Sequence, residues 1–125
     1  MGRPRQFDTS AAVEAARDAF VRGGYLGTSI DDLLRATGLQ RASLYSAFGS
    51  KRGLFLTALN RPASTSGEDL DLVLVALMDL ASADAEVRDV IGPILRRLDR
   101  PAAILGRQVL RRAGLESASG AGERR

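Results

Sequence analysis

Between Ser29 and Ser50 the sequence SIDDLLRATGLQRASLYSAFGS holds two stretches of helical apolar spacing with a single glycine between them. Ile30, Leu33 and Leu34 fall on one face of a first short helix, and Leu44 and Phe48, at i and i+4, fall on one face of a second. Gly38 is the residue best suited to the positive φ of an abrupt helical stop, and only Leu39 and Gln40 follow before apolar spacing resumes. Two short helices joined by a tight glycine turn make a helix-turn-helix candidate, and the rest of the chain must be arranged around that pair.

The flanking segments also read as helices. A first helix is expected over 10–22, capped by Asp8, Thr9 or Ser10, closed by Gly23 and Gly24, and burying Val13, Ala16 and Phe20. Thr28 or Ser29 caps the second helix, with Asp31 three residues beyond Thr28 in a capping-box-like place. A fourth helix starts after Ser50 and carries Leu54, Phe55, Ala58 and Leu59. Pro62 and the string PASTSG end it, so residues 61–67 read as a linker.

Three further helical patterns follow. From Glu68 to Ala81 the apolar positions are wider than the stripe of a surface helix, which points to cover from a partner subunit through Leu70, Val73, Leu74, Leu77 and Met78. Residues 84–99 place Val87, Ile91, Ile94 and Leu98 at helical spacing, with Gly92 and Pro93 expected to kink or split the helix. Pro101 opens a last helix running through Ala113, with Leu105, Val109 and Leu110 inward. The tail from Glu116 has the composition of a disordered segment. The expectation is therefore all-α: a homeodomain-like helix-turn-helix unit of three or four helices over 1–60, a short helical dimerisation or regulatory region over 68–114, and a tail over 115–125.

Composition narrows the function. At 125 residues the chain fits one compact domain. It has no cysteine and no histidine, which removes disulfides, thiolate nucleophiles, the usual zinc sets and the commonest acid/base group near neutral pH. No cofactor or metal is expected. The carboxylates lie at helix starts or on polar faces, and neighbours such as Asp31 and Asp32 point in different directions, so catalysis is not expected either. The lack of a long apolar run and of a charged-then-apolar leader argues against a membrane span or export and for a cytoplasmic location. The net charge of +3 is uneven: residues 1–60 carry eight Arg/Lys against five Asp/Glu, while 61–125 carry ten of each.

That excess surrounds the second helix of the pair. With Leu44 and Phe48 turned inward, Gln40, Arg41, Ser43, Ser46 and Ala47 remain on reachable faces. A helix of this kind fits the major groove, which is about 12 Å wide, with its first turn toward base edges. Gln40 suits adenine and Arg41 suits guanine. The hydroxyls of Tyr45 and the serines can donate to phosphate, and Lys51 adds charge at the next helix start. Arg3 and Arg5, flanking Pro4, suit an arm lying in the minor groove.

The segment GGYLGTSIDDLLRATGLQRASLYSAFGSKRGLF strongly resembles the DNA-binding domain of the TetR family of transcriptional regulators. Gly24-Tyr25, Thr28-Ser29-Ile30, Gly38, Leu44-Tyr45, Phe48 and Ser50-Lys51 occur in that family's order and spacing, and the resemblance covers about residues 10–56. It implies a homodimer that binds a palindromic operator in double-stranded DNA and represses transcription until a small ligand releases it. Carried over by position, Thr28, Ser43, Tyr45 and Lys51 contact the backbone, and Gln40, Arg41, Ala42 and Ser46 lie near bases. Gly24 and Tyr25 form the turn and pack between the first two helices, and Arg3 and Arg5 match the family's basic arm. Leu34 stands where a small residue is usual, and Ala47 where histidine is frequent. Only about sixty residues follow Pro62, which makes a ligand cavity doubtful and dimerisation easier to retain. The competing expectation is an interaction protein that dimerises with another regulator without reading DNA itself; the hydroxyl and basic set at Arg41, Ser43, Tyr45 and Lys51 argues against it.

Overall fold

A computed structural model describes residues 8–61 and 67–115. The described chain forms seven α-helices: α1 (Thr9–Gly23), α2 (Ile30–Thr37), α3 (Arg41–Phe48), α4 (Lys51–Leu59), α5 (Gly67–Asp79), α6 (Ala85–Arg97) and α7 (Pro101–Arg112), with a 3-10 turn at Ala81–Ala83. Among these residues no helix is long and apolar enough to cross a membrane. Arg3, Arg5, most of the expected linker and the tail from Glu116 lie outside the described residues.

Local chemistry explains the boundaries. The Asp8 carboxylate accepts from the Ser10 and Ala11 amides and starts α1. Ser29 and Asp32 form a reciprocal capping box at α2, one residue later than the Thr28–Asp31 pairing expected from sequence. Gly38 takes φ +76 and Gly49 takes φ +85, the left-handed conformations that stop α2 and α3 within short turns. Ser50 caps α4 by accepting from the Gly53 amide at 2.8 Å.

One apolar cluster runs through the molecule. Val13, Ala16 and Phe20 of α1, Leu33 of α2, Leu44 of α3 and Leu54 and Phe55 of α4 share it with Leu72, Val75 and Ala76 of α5 and Val87 and Ile91 of α6. Helices before and after residues 62–66 thus share one core. Phe55 meets Phe20 edge-on at 5.0 Å and Tyr25 at 5.2 Å between ring centroids. Tyr25, in the turn between α1 and α2, thus also brings its ring between α1 and α4.

Three expectations for α5–α7 are corrected. Val73 and Leu74 of α5 are 3% and 6% exposed in the single chain, so they need no partner subunit to cover them. Leu70 and Leu77 are half-buried, and Met78 alone of the five is open to solvent. Helix α6 continues through Pro93 to Arg97 without splitting. The carbonyl that Pro93 leaves unbonded belongs to exposed Asp89, where water can satisfy it. Leu98 is extended and ends the helix. Helix α7 is rotated relative to expectation: Gln108 is buried, whereas Val109 and Leu110 are exposed and Leu105 is half-buried. A polar hook sets this register, because Gln108 Nε2 donates to Asp71 at 2.8 Å and Arg112 pairs with the same carboxylate at 3.3 Å.

Polar bridges tie the later helices to the earlier ones. Asp79, ending α5, accepts from the Tyr25 amide at 2.8 Å in the α1–α2 turn. Arg52 of α4 clamps Asp84 through Nε at 2.8 Å and Nη2 at 2.9 Å, and its Nη2 also reaches Glu86 at 2.8 Å. Asp84 is at the same time the N-cap of α6. Hydrogen bonds from Arg52 hold its carboxyl down to about 2, against the opposing effect of burial.

Two outcomes follow for stability. Leu44→Ala removes the fully buried anchor of α3 and should cost about 2–5 kcal/mol in chemical denaturation. Asp84→Asn keeps a good helix cap but loses the charge. Because the folded pKa of Asp84 lies below the unfolded value of about 3.9, its contribution is complete above that value and is lost as pH falls through about 2. The variant should therefore melt below wild type at neutral pH, and the gap should close between about pH 4 and pH 2. A gap that persists in acid would assign the loss to packing or capping instead of charge.

Candidate nucleic-acid interface

Helix α3 is held by one side and open on the other. Leu44 is fully buried and Phe48 half-buried against the core, while Gln40, Arg41, Ala42, Tyr45, Ser46 and Ala47 are exposed and Ser43 is half-buried. The helical repeat thus gathers the sequence-predicted base-reading set, Gln40, Arg41, Ala42 and Ser46, on the open side of one two-turn helix. Gln40 is the N-cap in extended conformation, and its side chain makes no capping bond. Its amide is left for an outside partner that offers a donor and an acceptor together.

The expected phosphate set divides. Tyr45 is 41% exposed, and its ring stands on the open face of α3. Lys51, the first residue of α4, lies with Nζ 4.3 Å from the centre of the Tyr25 ring. Burial lowers its pKa, with Asp79 acting in the opposite sense. The ring face holds the ammonium at the helix start without consuming its hydrogen-bond donors. Thr28 is placed elsewhere. It is 3% exposed, and its hydroxyl faces the carbonyls of Gly24 at 2.6 Å and Ala19 at 3.3 Å. Its side chain closes the α1–α2 turn, so the expected phosphate contact is corrected to a structural role.

Sequence reasoning missed the acidic partners of these groups. Arg41 Nη2 donates to Asp31 Oδ1 at 2.6 Å, which brings the first turn of α2 to the start of α3. Arg35 pairs with Asp32 one turn back on α2. The Arg52–Asp84 and Tyr25–Asp79 bridges join residues 32 and 54 positions apart, and no local spacing announces them. A signal existed only for Asp84, a good cap before a helical run.

An open surface cleft of about 420 Å³ lies between α1 and α2, with Arg22 and Arg35 at its rim and Gly27 and Thr28 in its wall. It is part of the helix-turn-helix unit and lies outside α5–α7, where a regulatory cavity would be sought. Among the described residues no group of three or more His, Cys, Asp or Glu side chains is placed to hold a metal ion.

Comparison with known proteins agrees with this geometry. Residues 12–58 match the family described as bacterial regulatory proteins, tetR family, a span from the first turn of α1 to the last turn of α4. The chain is similar to an uncharacterised helix-turn-helix-type transcriptional regulator, YezE, of Bacillus subtilis strain 168. The two are 36% identical over 96 residues, covering 77% of this chain and 46% of that protein. It is also similar to two transcriptional repressors of Escherichia coli K12. BdcR is 32% identical over 99 residues, 79% of this chain and 47% of that protein; ComR is 45% identical over 60 residues, 48% and 29%. The chain thus spans half or less of the length of the curated relatives it matches. No solved structure matches it significantly. An alignment of 96 residues in a chain of 125 necessarily takes in residues 30–96, so the similarity continues past α4 into α5 and α6. Through residues 12–58 and the helix-turn-helix they form, the chain belongs to the TetR family of bacterial regulatory proteins.

Proposed function

We propose that this protein is a sequence-specific DNA-binding transcriptional regulator, a repressor that acts as a homodimer on a palindromic operator. The observation that carries the reading is the open face of α3: a helix locked by Leu44 that presents Gln40, Arg41, Ala42 and Ser46 together, flanked by Tyr45 and Lys51. An amide, a guanidinium and two hydroxyls around small side chains have no use in a core, and they match the donors and acceptors of the major groove. Two of the curated relatives are named as repressors, which supports the sign of regulation, and the family resemblance supports DNA binding in place of catalysis.

Two-fold pairing follows from the reading itself. One eight-residue helix covers only a few base pairs, and two copies about 34 Å apart would engage successive turns of the groove. The exposed apolar side chains Met78 of α5, Val109 and Leu110 of α7 and Leu115 just beyond it are the surface on which such pairing could draw. The interior residues Val73 and Leu74 are not.

The test is a fluorescence-anisotropy titration with DNA taken from beside the protein's own gene and with a shuffled duplex, at two salt concentrations. Saturable preference for the native fragment with two protomers per site is the expected result. Equal, salt-abolished binding to both would sink the reading and favour a regulator-binding interaction protein. Within the same assay Tyr45→Ala and Lys51→Ala should weaken binding to both duplexes, and Lys51→Ala should reduce the salt slope by about one. Arg41→Ala should cost about 1–3 kcal/mol on the preferred duplex and relax discrimination at one base pair. Unchanged affinity in all three variants would show that α3 does not face DNA.

A further inference from the structure

The charge at the reading edge of α3 is already committed to a partner. Arg41 is the first residue of α3, and its Nη2 donates to Asp31 Oδ1 at 2.6 Å across the turn from α2. Both side chains are exposed, Arg41 at 54% and Asp31 at 68%, so the pair is not a structural ion pair sealed in the core. An exposed pair of this kind contributes little to folding. Its effect falls instead on what Arg41 can do.

We infer that Asp31 is a positioning residue for guanine readout: it holds the Arg41 guanidinium by one N–H and leaves the rest of the fork for a base. The inference rests on the DNA-binding reading above. A guanidinium carries five N–H donors in a rigid plane, and a guanine edge takes two of them through O6 and N7. One carboxylate oxygen on Nη2 therefore leaves donors enough for bidentate pairing, and it removes the rotamer freedom that a lone arginine must give up on binding. The same carboxylate acts against the wrong contact. A phosphate approaching Arg41 meets the negative charge of Asp31 beside it, so Arg41 gains less from the sequence-independent backbone than an unpaired arginine would. Both effects widen the difference between the preferred site and other DNA.

The inference is tested by selecting duplexes from a randomised pool with wild type, Asp31→Asn, Asp31→Ser, Arg41→Ala and the Asp31→Asn/Arg41→Ala double variant. Asn and Ser both suit the first turn of a helix, and thermal unfolding checks that each variant is folded. The expected result is a base pair at which wild type demands guanine and Arg41→Ala does not, with both Asp31 variants losing preference at that same base pair by a factor on the order of 5 to 10. Binding of the Asp31 variants to a shuffled duplex should hold or rise, with a salt slope steeper by about one. The double variant should behave as Arg41→Ala does. If Arg41→Ala flattens one position and the Asp31 variants leave it intact, Asp31 is not a positioning residue and the DNA-binding reading stands. A positioning role is equally excluded if the Asp31 effect is undiminished in the Arg41→Ala background, since the charge then acts on DNA without passing through Arg41. If Arg41→Ala changes no position, Arg41 is not the reader and the inference falls. Failure of wild type to select any motif overturns the DNA-binding reading and the inference with it.

Discussion

Burial of Leu44 is the constraint on which the exposed face of α3 depends. A helix of eight residues is not stable alone in water, because the cost of nucleating it is spread over too few hydrogen bonds. Helix α3 also lacks a side-chain cap at Gln40 and charged residues matched to its dipole in the last turn. Its existence therefore rests on the fully buried Leu44 and half-buried Phe48, which tie it to α4 and the common core. The absence of local stabilisers has a functional side. A capping serine or aspartate at position 40 would turn its side chain back onto the helix, whereas Gln40 leaves its amide outward.

The orientation of α2 and α3 is set from both ends by residues far along the chain. Asp79 grips the main chain of the α1–α2 turn, and Asp84 grips Arg52 in the first turn of α4. These contacts bracket the helix pair, and Tyr25, stacked on Phe20 at 5.8 Å and edge-on to Phe55, fills the space between them. Lys51 lies on the outer face of the same ring. The carboxyl termini and caps of the later helices thus position the elements that carry the open face of α3, and α5 and α6 share one core with the helix-turn-helix.

Much of this is legible in the sequence, and the exceptions have a common cause. Helix starts and stops follow from local rules, and Asp8, Ser50, Gly38 and Pro101 stand where those rules put them. The core faces of α1, α2 and α4 are amphipathic enough for Phe20, Leu33 and Leu54 to be found from spacing alone. Spacing fails where polar contacts decide the rotation of a helix. Helix α7 turns Gln108 inward because Asp71 waits there as a partner 37 positions away, and no apolar periodicity encodes that. Thr28 misleads for a similar reason: a threonine before a helix is equally suited to donate outward to phosphate or inward to a carbonyl. The carbonyls of Gly24 and Ala19 decide the matter. The width of the apolar run in α5 suggests a need for a second subunit, when α1, α6 and α7 already pack on it.

Most arginines of the helix-turn-helix unit are compensated within the chain. Arg17 pairs with Glu14, Arg35 with Asp32, Arg41 with Asp31 and Arg52 with Asp84 and Glu86. Four of the eight basic residues counted along the first sixty are therefore already paired with carboxylates. Lys51, resting on an aromatic face with its donors still available, is the clearest exception. On the proposed DNA-binding reading, each paired arginine would gain less from the non-specific, counterion-driven attraction than an unpaired one. On that reading, affinity would come more from hydroxyl and amide contacts whose geometry fits only with α3 seated in the groove. Pairing charge internally and exposing neutral hydrogen-bonding groups would then be a route by which a small helix-turn-helix unit favours one sequence over the excess of others around it.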